Sequence, residues 1–315
     1  MNPSRWIGSL ALIAAGAMAC SEPGGDRPDP DGDGAHAVTT EDATVAREGR
    51  VTRVRVYRPA PLPSPAPLLV FLPGLLLESA QYAPLLERVA SHGVVVIGAD
   101  LPVSLTEMDQ PALAEDARAV IDWALDSAGR LAGQIDPERI ALAGHSLGGK
   151  VSTLAALADP RVAALFAVDP VSSEGTAGGF SVTNPDVIHD GLERLDLPAA
   201  FAGETTNGAG GVNGQPCAPA DGNFERFFAA ATAAPWAARY DFPGADHIDF
   251  VWDQEDCLAC LLCEPGTADP AEVQAGLATL MVAFLRRHLL DELAMDAWLS
   301  GARVPEGVSS ELRVP

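Results

Sequence analysis

The sequence has 315 residues, 48% of them apolar and 20% charged, so it can build a sizeable core and is not globally disordered. Its 20 Lys and Arg against 43 Asp and Glu give a formal charge of −23, and Lys150 is the only lysine. A phosphate backbone or an anionic lipid surface would be repelled by that field, which argues against nucleic acid and lipid headgroups as partners.

Arg5 precedes an apolar run from Trp6 to Met18, closed by Ala19 and Cys20. A positive start, a short apolar stretch and small residues before a cut site predict a secretory signal over residues 1–20, too short to span a membrane. Ala17-Met18-Ala19-Cys20 resembles the end of a bacterial lipoprotein signal, with Ala17 where leucine is usual. Cys20 is therefore the lipidation candidate and the only expected attachment to a membrane; export to the cell envelope or the medium is expected either way. Residues 21–45 open rich in Asp, Gly and Pro and read as a disordered tether, unable to bury enough surface to offset the entropy of ordering. Asp29, Asp31, Asp33 and Gly34 have the spacing of a calcium loop, but no downstream glutamate or flanking helices frame it.

From residue 46 to 315 the pattern is that of one domain. Val51 to Tyr57 alternates with period two and predicts a half-exposed strand; the five prolines from Pro59 to Pro67 predict a loop. Leu68–Leu72 is a continuous apolar run closed by Pro73-Gly74, which predicts a strand buried on both faces. A helix over Gln81–Ser91, a buried strand at Val94–Ile97 and a long amphipathic helix over Ala112–Ala128 follow. Strands are predicted at Ile140–Ala143, Val162–Val168, Ala199–Ala202 and Ala237–Phe242, with helices over Gly148–Leu157 and Glu272–Leu293. Strands separated by helices need crossover connections, so the expected fold class is α/β, a mostly parallel sheet with helices on both faces.

The most informative stretch is Gly144-His145-Ser146-Leu147-Gly148, lying where a buried strand ends and a helix begins. G-x-S-x-G in that context predicts a nucleophile elbow: Gly144 and Gly148 stand where a Cβ would collide, and Ser146 is lifted above the sheet. A serine hydroxyl needs a base to remove its proton. Of six histidines, His247 follows the last predicted parallel strand, where this architecture places its base. His145 is expected to face away from Ser146, and His92 to cap a helix. Two carboxylates compete for the acid. Asp169 ends the strand after the elbow and Glu204 follows the next one; strand order alone leaves the choice open. The oxyanion needs two backbone donors. Leu147, after the nucleophile, supplies one, and Leu75, in the loop after Leu68–Leu72, supplies the other.

Several blocks resemble chlorophyllases and their bacterial α/β-hydrolase relatives. They are Phe71-Leu72-Pro73-Gly74-Leu75, Gly144-His145-Ser146-Leu147-Gly148-Gly149-Lys150, Val168-Asp169-Pro170-Val171, Asn223-Phe224-Glu225-Arg226-Phe227 and Asp246-His247-Ile248-Asp249. The resemblance implies an α/β-hydrolase fold with a catalytic set of Ser146, Asp169 and His247, leaving Glu204 as a pocket or structural carboxylate. Leu147 stands where the plant enzymes commonly carry arginine, and Pro73 where histidine is usual. Those departures favour general ester hydrolysis over chlorophyll alone, with cutinase-like polyester substrates also in range. No metal or organic cofactor is called for.

Cys217, Cys257, Cys260 and Cys263 are an even set in an exported chain and predict two disulfides, with three possible connectivities. The expected protein is thus a monomeric serine ester hydrolase acting on neutral hydrophobic esters, small or polymeric. The alternatives are an idle α/β-hydrolase fold serving as a surface binding protein, a thioesterase or a peptidase.

Overall fold

The computed structural model describes residues 27–63, 65–103, 108–172, 179–208, 216–255, 257 and 259–314. The signal segment and Cys20 lie outside the described residues. Nine strands form one sheet: β1 (Ala37–Arg47), β2 (Arg50–Ala60), β3 (Ala66–Leu72), β4 (Val95–Asp100), β5 (Ile135–His145), β6 (Val162–Val168), β7 (Ala199–Glu204), β8 (Ala237–Phe242) and β9 (Ser309–Arg313). Their order is β1-β2-β4-β3-β5-β6-β7-β8-β9. The six from β4 to β8 run parallel, while β1, β2 and β9 pair antiparallel at the two margins. This is the α/β-hydrolase fold.

The helices are α1 (Ala83–Ser91), α2 (Gln110–Leu125), α3 (Leu147–Ala158), α4 (Val187–Asp190), α5 (Phe224–Ala230), α6 (Pro270–Leu289) and α7 (Asp296–Leu299). On one face of the sheet α1, α6 and α7 pack over Phe71, Phe166 and Tyr240. On the other, α2, α3 and α5 cover Leu68, Val70, Leu142 and Phe201. Covering on both sides explains why β3, β6 and β7 read as unbroken apolar runs rather than alternating ones. Because the parallel strands share a direction, the loops after β3, β5, β6, β7 and β8 all emerge at one end of the sheet. That end collects the residues singled out by their chemistry.

The sequence expectation fails at the margins. Residues 37–45, expected in a disordered tether, lie in β1, which pairs with β2 from Ala37↔Ala60 to Arg47↔Arg50. Its side chains are mostly exposed, with only Val45 buried, so backbone bonds rather than apolar alternation hold it. Residues 27–36 are also packed. The Ser91 Oγ accepts from the Gly34 amide at 2.7 Å, Gly32 O bonds His92 Nε2 at 3.0 Å, and Arg286 donates to Pro28 O at 2.6 Å. Arg88 reaches Pro30 O, and Pro30 itself is buried. Polar anchoring from α1 and α6 thus orders an arm that lacks large apolar side chains, and His92 is the arm's partner as well as the residue closing α1. The last helix also ends at Leu289 rather than Leu293, and a short turn leads into α7.

If this arm is structural, a chain beginning at Ala37 should melt below one beginning at Arg27, because the arm's hydrogen bonds are lost and Arg88, His92 and Arg286 keep buried polar atoms without their arm partners. A drop of about 3–8 °C is expected by scanning calorimetry. Equal melting temperatures would return residues 27–36 to the role of tether.

Candidate active site

The site starts from backbone crowding. A Cβ on Gly148 would stand 2.1 Å from the Leu72 carbonyl oxygen, and one on Gly144 would stand 2.5 Å from Gly148. Only glycine at both positions lets β5 turn directly into α3 against the end of β3. The turn holds Ser146 at φ 56° and ψ −122°, a left-sided conformation that costs about 1–3 kcal/mol for a residue with a side chain. The Ser146 amide donates to Val168 O at 2.9 Å, fixing the elbow to the end of β6. Leu147 opens α3, and the first amides of a helix have no carbonyl of their own helix to bond. The loop after β3 lies against the elbow, since a Cβ on Gly74 would be 3.3 Å from Ser146 Cβ. Leu75 follows Gly74 in that loop. The two amides expected as oxyanion donors therefore belong to neighbouring stretches of backbone.

Three of the expected side chains meet in line. His247 Nε2 lies 2.9 Å from Ser146 Oγ, and His247 Nδ1 lies 2.6 Å from Asp169 Oδ2. Asp169 is fully buried at φ 40°, and its amide donates to Ala202 O at 2.6 Å, so the residue is pinned where β6 meets β7. Burial raises its carboxyl above the usual range, and the bond to His247 works against that rise. With Nδ1 facing the carboxylate, Nε2 is the ring nitrogen that faces the serine hydroxyl.

Glu204 does not touch the imidazole. It is the last residue of β7, and its Oε2 accepts from the amides of Thr206 and of Asn207, the latter at 2.7 Å. Of the two carboxylates that strand order left open, Asp169 is the one beside the histidine. Burial, then the neighbouring Asp169 charge, pushes the Glu204 carboxyl up to about 7.

Several supporting residues carry no sequence signal of their own. Asn207 Oδ1 accepts from the His247 amide at 2.8 Å, and Asn207 Nδ2 donates to Glu264 O at 2.8 Å. The His145 ring lies 4.5 Å from that of His247, and Tyr82 hydroxyl bonds its Nδ1 at 2.7 Å. Burial, then the charge of His247, depresses the His145 imidazole well below its usual range, so it packs there as a neutral ring. Lys150, fully buried one turn into α3, donates to Ser172 O and to Asn184 Oδ1, both at 2.9 Å. It ties down the stretches on both sides of the loop after Asp169, and burial lowers its ammonium to about 8.

A small cavity of about 20 Å³ opens between the loop after β3 and α3, with Gly74, Leu77, Leu101, Val103, Leu147 and Val151 in its walls. A larger hollow of about 560 Å³ lies over β1 and β2, and ion pairs such as Asp42–Arg55 and Glu78–Arg53 line it. None of the three aligned side chains borders that hollow, so it is no part of this site. Among the described residues no group of three or more His, Cys, Asp or Glu is arranged to hold a metal ion, and no helix is long and apolar enough to cross a membrane.

A family model described as Chlorophyllase matches residues 38–299, starting inside β1. Chlorophyllase-1 of Arabidopsis thaliana is 28% identical over 246 residues, covering 72% of this chain and 74% of that protein. The chloroplastic chlorophyllase-1 of Citrus sinensis is 24% identical over 231 residues, covering 70% and 67%. Cutinase est1 of Thermobifida alba is 40% identical over 79 residues, which is 24% of this chain and 26% of the cutinase.

The cysteines pair as Cys217–Cys263 and Cys257–Cys260, one of the three connectivities the sequence allows. Cys263 precedes Glu264, the carbonyl partner of Asn207, and the Gly266 amide donates to Asp246 Oδ2 at 2.6 Å. The Cys217–Cys263 bridge therefore anchors the segment that grips both sides of His247. Reducing it should slow labelling of Ser146 by a fluorophosphonate about three- to tenfold. An unchanged rate, with Cys217 and Cys263 counted as free thiols, would remove the bridge from any role at the site.

Proposed function

The chain belongs to the chlorophyllase family of α/β-hydrolases and is a carboxylic ester hydrolase; from that premise we propose that it works through Ser146, His247 and Asp169 by an acyl-enzyme. The observation that carries this reading is the unbroken line from Asp169 Oδ2 through the imidazole to Ser146 Oγ, at 2.6 and 2.9 Å.

As Ser146 Oγ bonds to the ester carbonyl carbon, its proton passes to His247 Nε2 and the carbonyl electrons move to oxygen. The Leu75 and Leu147 amides hold that oxyanion, and the Asp169 carboxylate stabilises the imidazolium. When the intermediate collapses, the C–O bond to the alcohol breaks and the departing oxygen takes the proton from Nε2. Water then gives a proton to His247 and its oxygen to the acyl carbon, and Ser146 recovers its proton as the acid leaves. One ester and one water become one acid and one alcohol, with every proton accounted for at Nε2.

Neutral hydrophobic esters fit best. The net charge of −23 disfavours anionic substrates, the small cavity beside the oxyanion loop is walled mostly by apolar side chains, and Leu76, Phe180 and Leu261 stand exposed on the loops after β3, β6 and β8. Chlorophyll-like esters and ester polymers both present such apolar chains. Two disulfides favour an oxidising compartment, in keeping with export and with a lipid anchor at Cys20. An idle binding protein would have no physical reason to keep a serine in a strained turn aimed at a base.

Hydrolysis of short- and medium-chain p-nitrophenyl esters should be abolished by Ser146→Ala and should fall about 10³- to 10⁴-fold in kcat with Asp169→Asn, which leaves the imidazole in the wrong tautomer. Near-parent kcat in Asp169→Asn would remove Asp169 as the acid. Absence of turnover in the folded parent, for esters of any chain length, would favour the binding protein.

A further inference from the structure

Glu204 and Asn207 are both buried at the reactive end of the sheet, and the acyl-transfer steps above use neither. We propose that they form a positioning relay for the base: the Glu204 carboxylate fixes the turn after β7 through two backbone amides, and the Asn207 carboxamide grips the backbone of His247, holding the imidazole between Asp169 and Ser146. This rests on the reading of Ser146 as the nucleophile.

The geometry supplies each link. Strands β6 and β7 run parallel with Val168 opposite Ala202, so their ends bring Asp169 and Glu204 to the same rim. The Glu204 side chain turns back on its own loop, taking the Thr206 and Asn207 amides on one oxygen. That closes the loop tightly enough to aim Asn207 at the next strand's loop, where Oδ1 accepts the His247 amide at 2.8 Å. The other end of the carboxamide donates to Glu264 O, so Asn207 is clamped from two directions. Backbone contact is what an imidazole bonded at both nitrogens leaves available; a support from behind has no ring atom to use. Asn207 suits this because one side chain offers both a donor and an acceptor.

Charge makes the relay responsive. The charged groups facing Glu204 are Asp169 from the end of β6 and His247 from the loop after β8; Asp246, in that same loop, acts on Asp169. Asp246 is engaged by the Ile248, Asp249 and Gly266 amides, and Glu264 contributes only its carbonyl. Glu204 Oε1 and Asp169 Oδ1 have no hydrogen-bond partner among the described residues. Two buried carboxyls side by side resist ionising together, and burial with the Asp169 charge beside it pushes the Glu204 carboxyl up to about 7. Above that pH the carboxylate binds its two amides as charged acceptor and adds a second negative neighbour to the imidazolium. Below it, both effects weaken.

The test follows the rate of Ser146 labelling by a fluorophosphonate, per folded molecule, across pH 5 to 9, beside p-nitrophenyl ester turnover. Asn207→Ala and Glu204→Ala should each slow labelling about 10- to 100-fold, because a sub-ångström loss of alignment is costly in a proton transfer. Glu204→Gln keeps an acceptor for the amides and should recover most of the rate. Its profile should lose the step near pH 7, because the group that titrates there is gone. A purely structural pair would lower the melting temperature and leave rate and profile untouched. Parent-like labelling in Asn207→Ala, with the Glu204→Gln profile superimposed on the parent's, overturns the relay. Should Asn207→Ala fail to fold, the Glu204→Gln profile alone decides. A parent that labels but hydrolyses no ester overturns the esterase reading and leaves the relay standing.

Discussion

The closeness of β3, β5 and the start of α3 governs everything at the reactive end of the sheet. The Leu72 carbonyl sits where a side chain on Gly148 would have to go, and the backbone can turn there only because both flanking residues lack a Cβ. The strain at Ser146 is the direct result, and the packed apolar strands beneath it hold the turn in that shape. The place of the Leu147 amide, the direction of α3 and the height of the serine hydroxyl all follow from that single contact.

A second constraint is electrostatic. The rim gathers Asp169, Glu204 and His247 out of water in a chain that is already strongly acidic. Burying carboxylates is tolerable only if each finds donors, and the fold meets this in two ways. Asp169 takes the imidazole, whereas Glu204 takes backbone amides of its own turn. The division of partners separates the two carboxyls chemically, although they end adjacent strands and look interchangeable in the sequence.

What the sequence reveals depends on how strictly each feature constrains residue type. The elbow is legible because only glycine fits at residues 144 and 148, and most of the parallel strands because burial on both faces demands apolar runs. His247 is legible from chain order. Asp169 and Glu204 are indistinguishable until the pairing of β6 with β7 and the path of the following turn are known. β1 and β9 escape notice because an edge strand held by backbone bonds tolerates sequences such as Thr-Thr-Glu-Asp or Ser-Ser-Glu-Leu. Asn207 leaves no trace at all, since a carboxamide in a loop belongs to no periodic pattern.

The burial of Lys150 has a consequence for how the folded state can be observed. As the only lysine in the chain, it gives a lysine-specific protease a single internal target, and that target lies inside the second turn of α3 with its ammonium bonded to Ser172 and Asn184. Fraying of the arm or of the surface loops cannot expose it. Cleavage after Lys150 therefore reports opening of the sheet and helix layers themselves, and its rate reads the free energy of global unfolding under native conditions without denaturant. The same scarcity leaves amine-directed coupling no lysine side chain on the native surface.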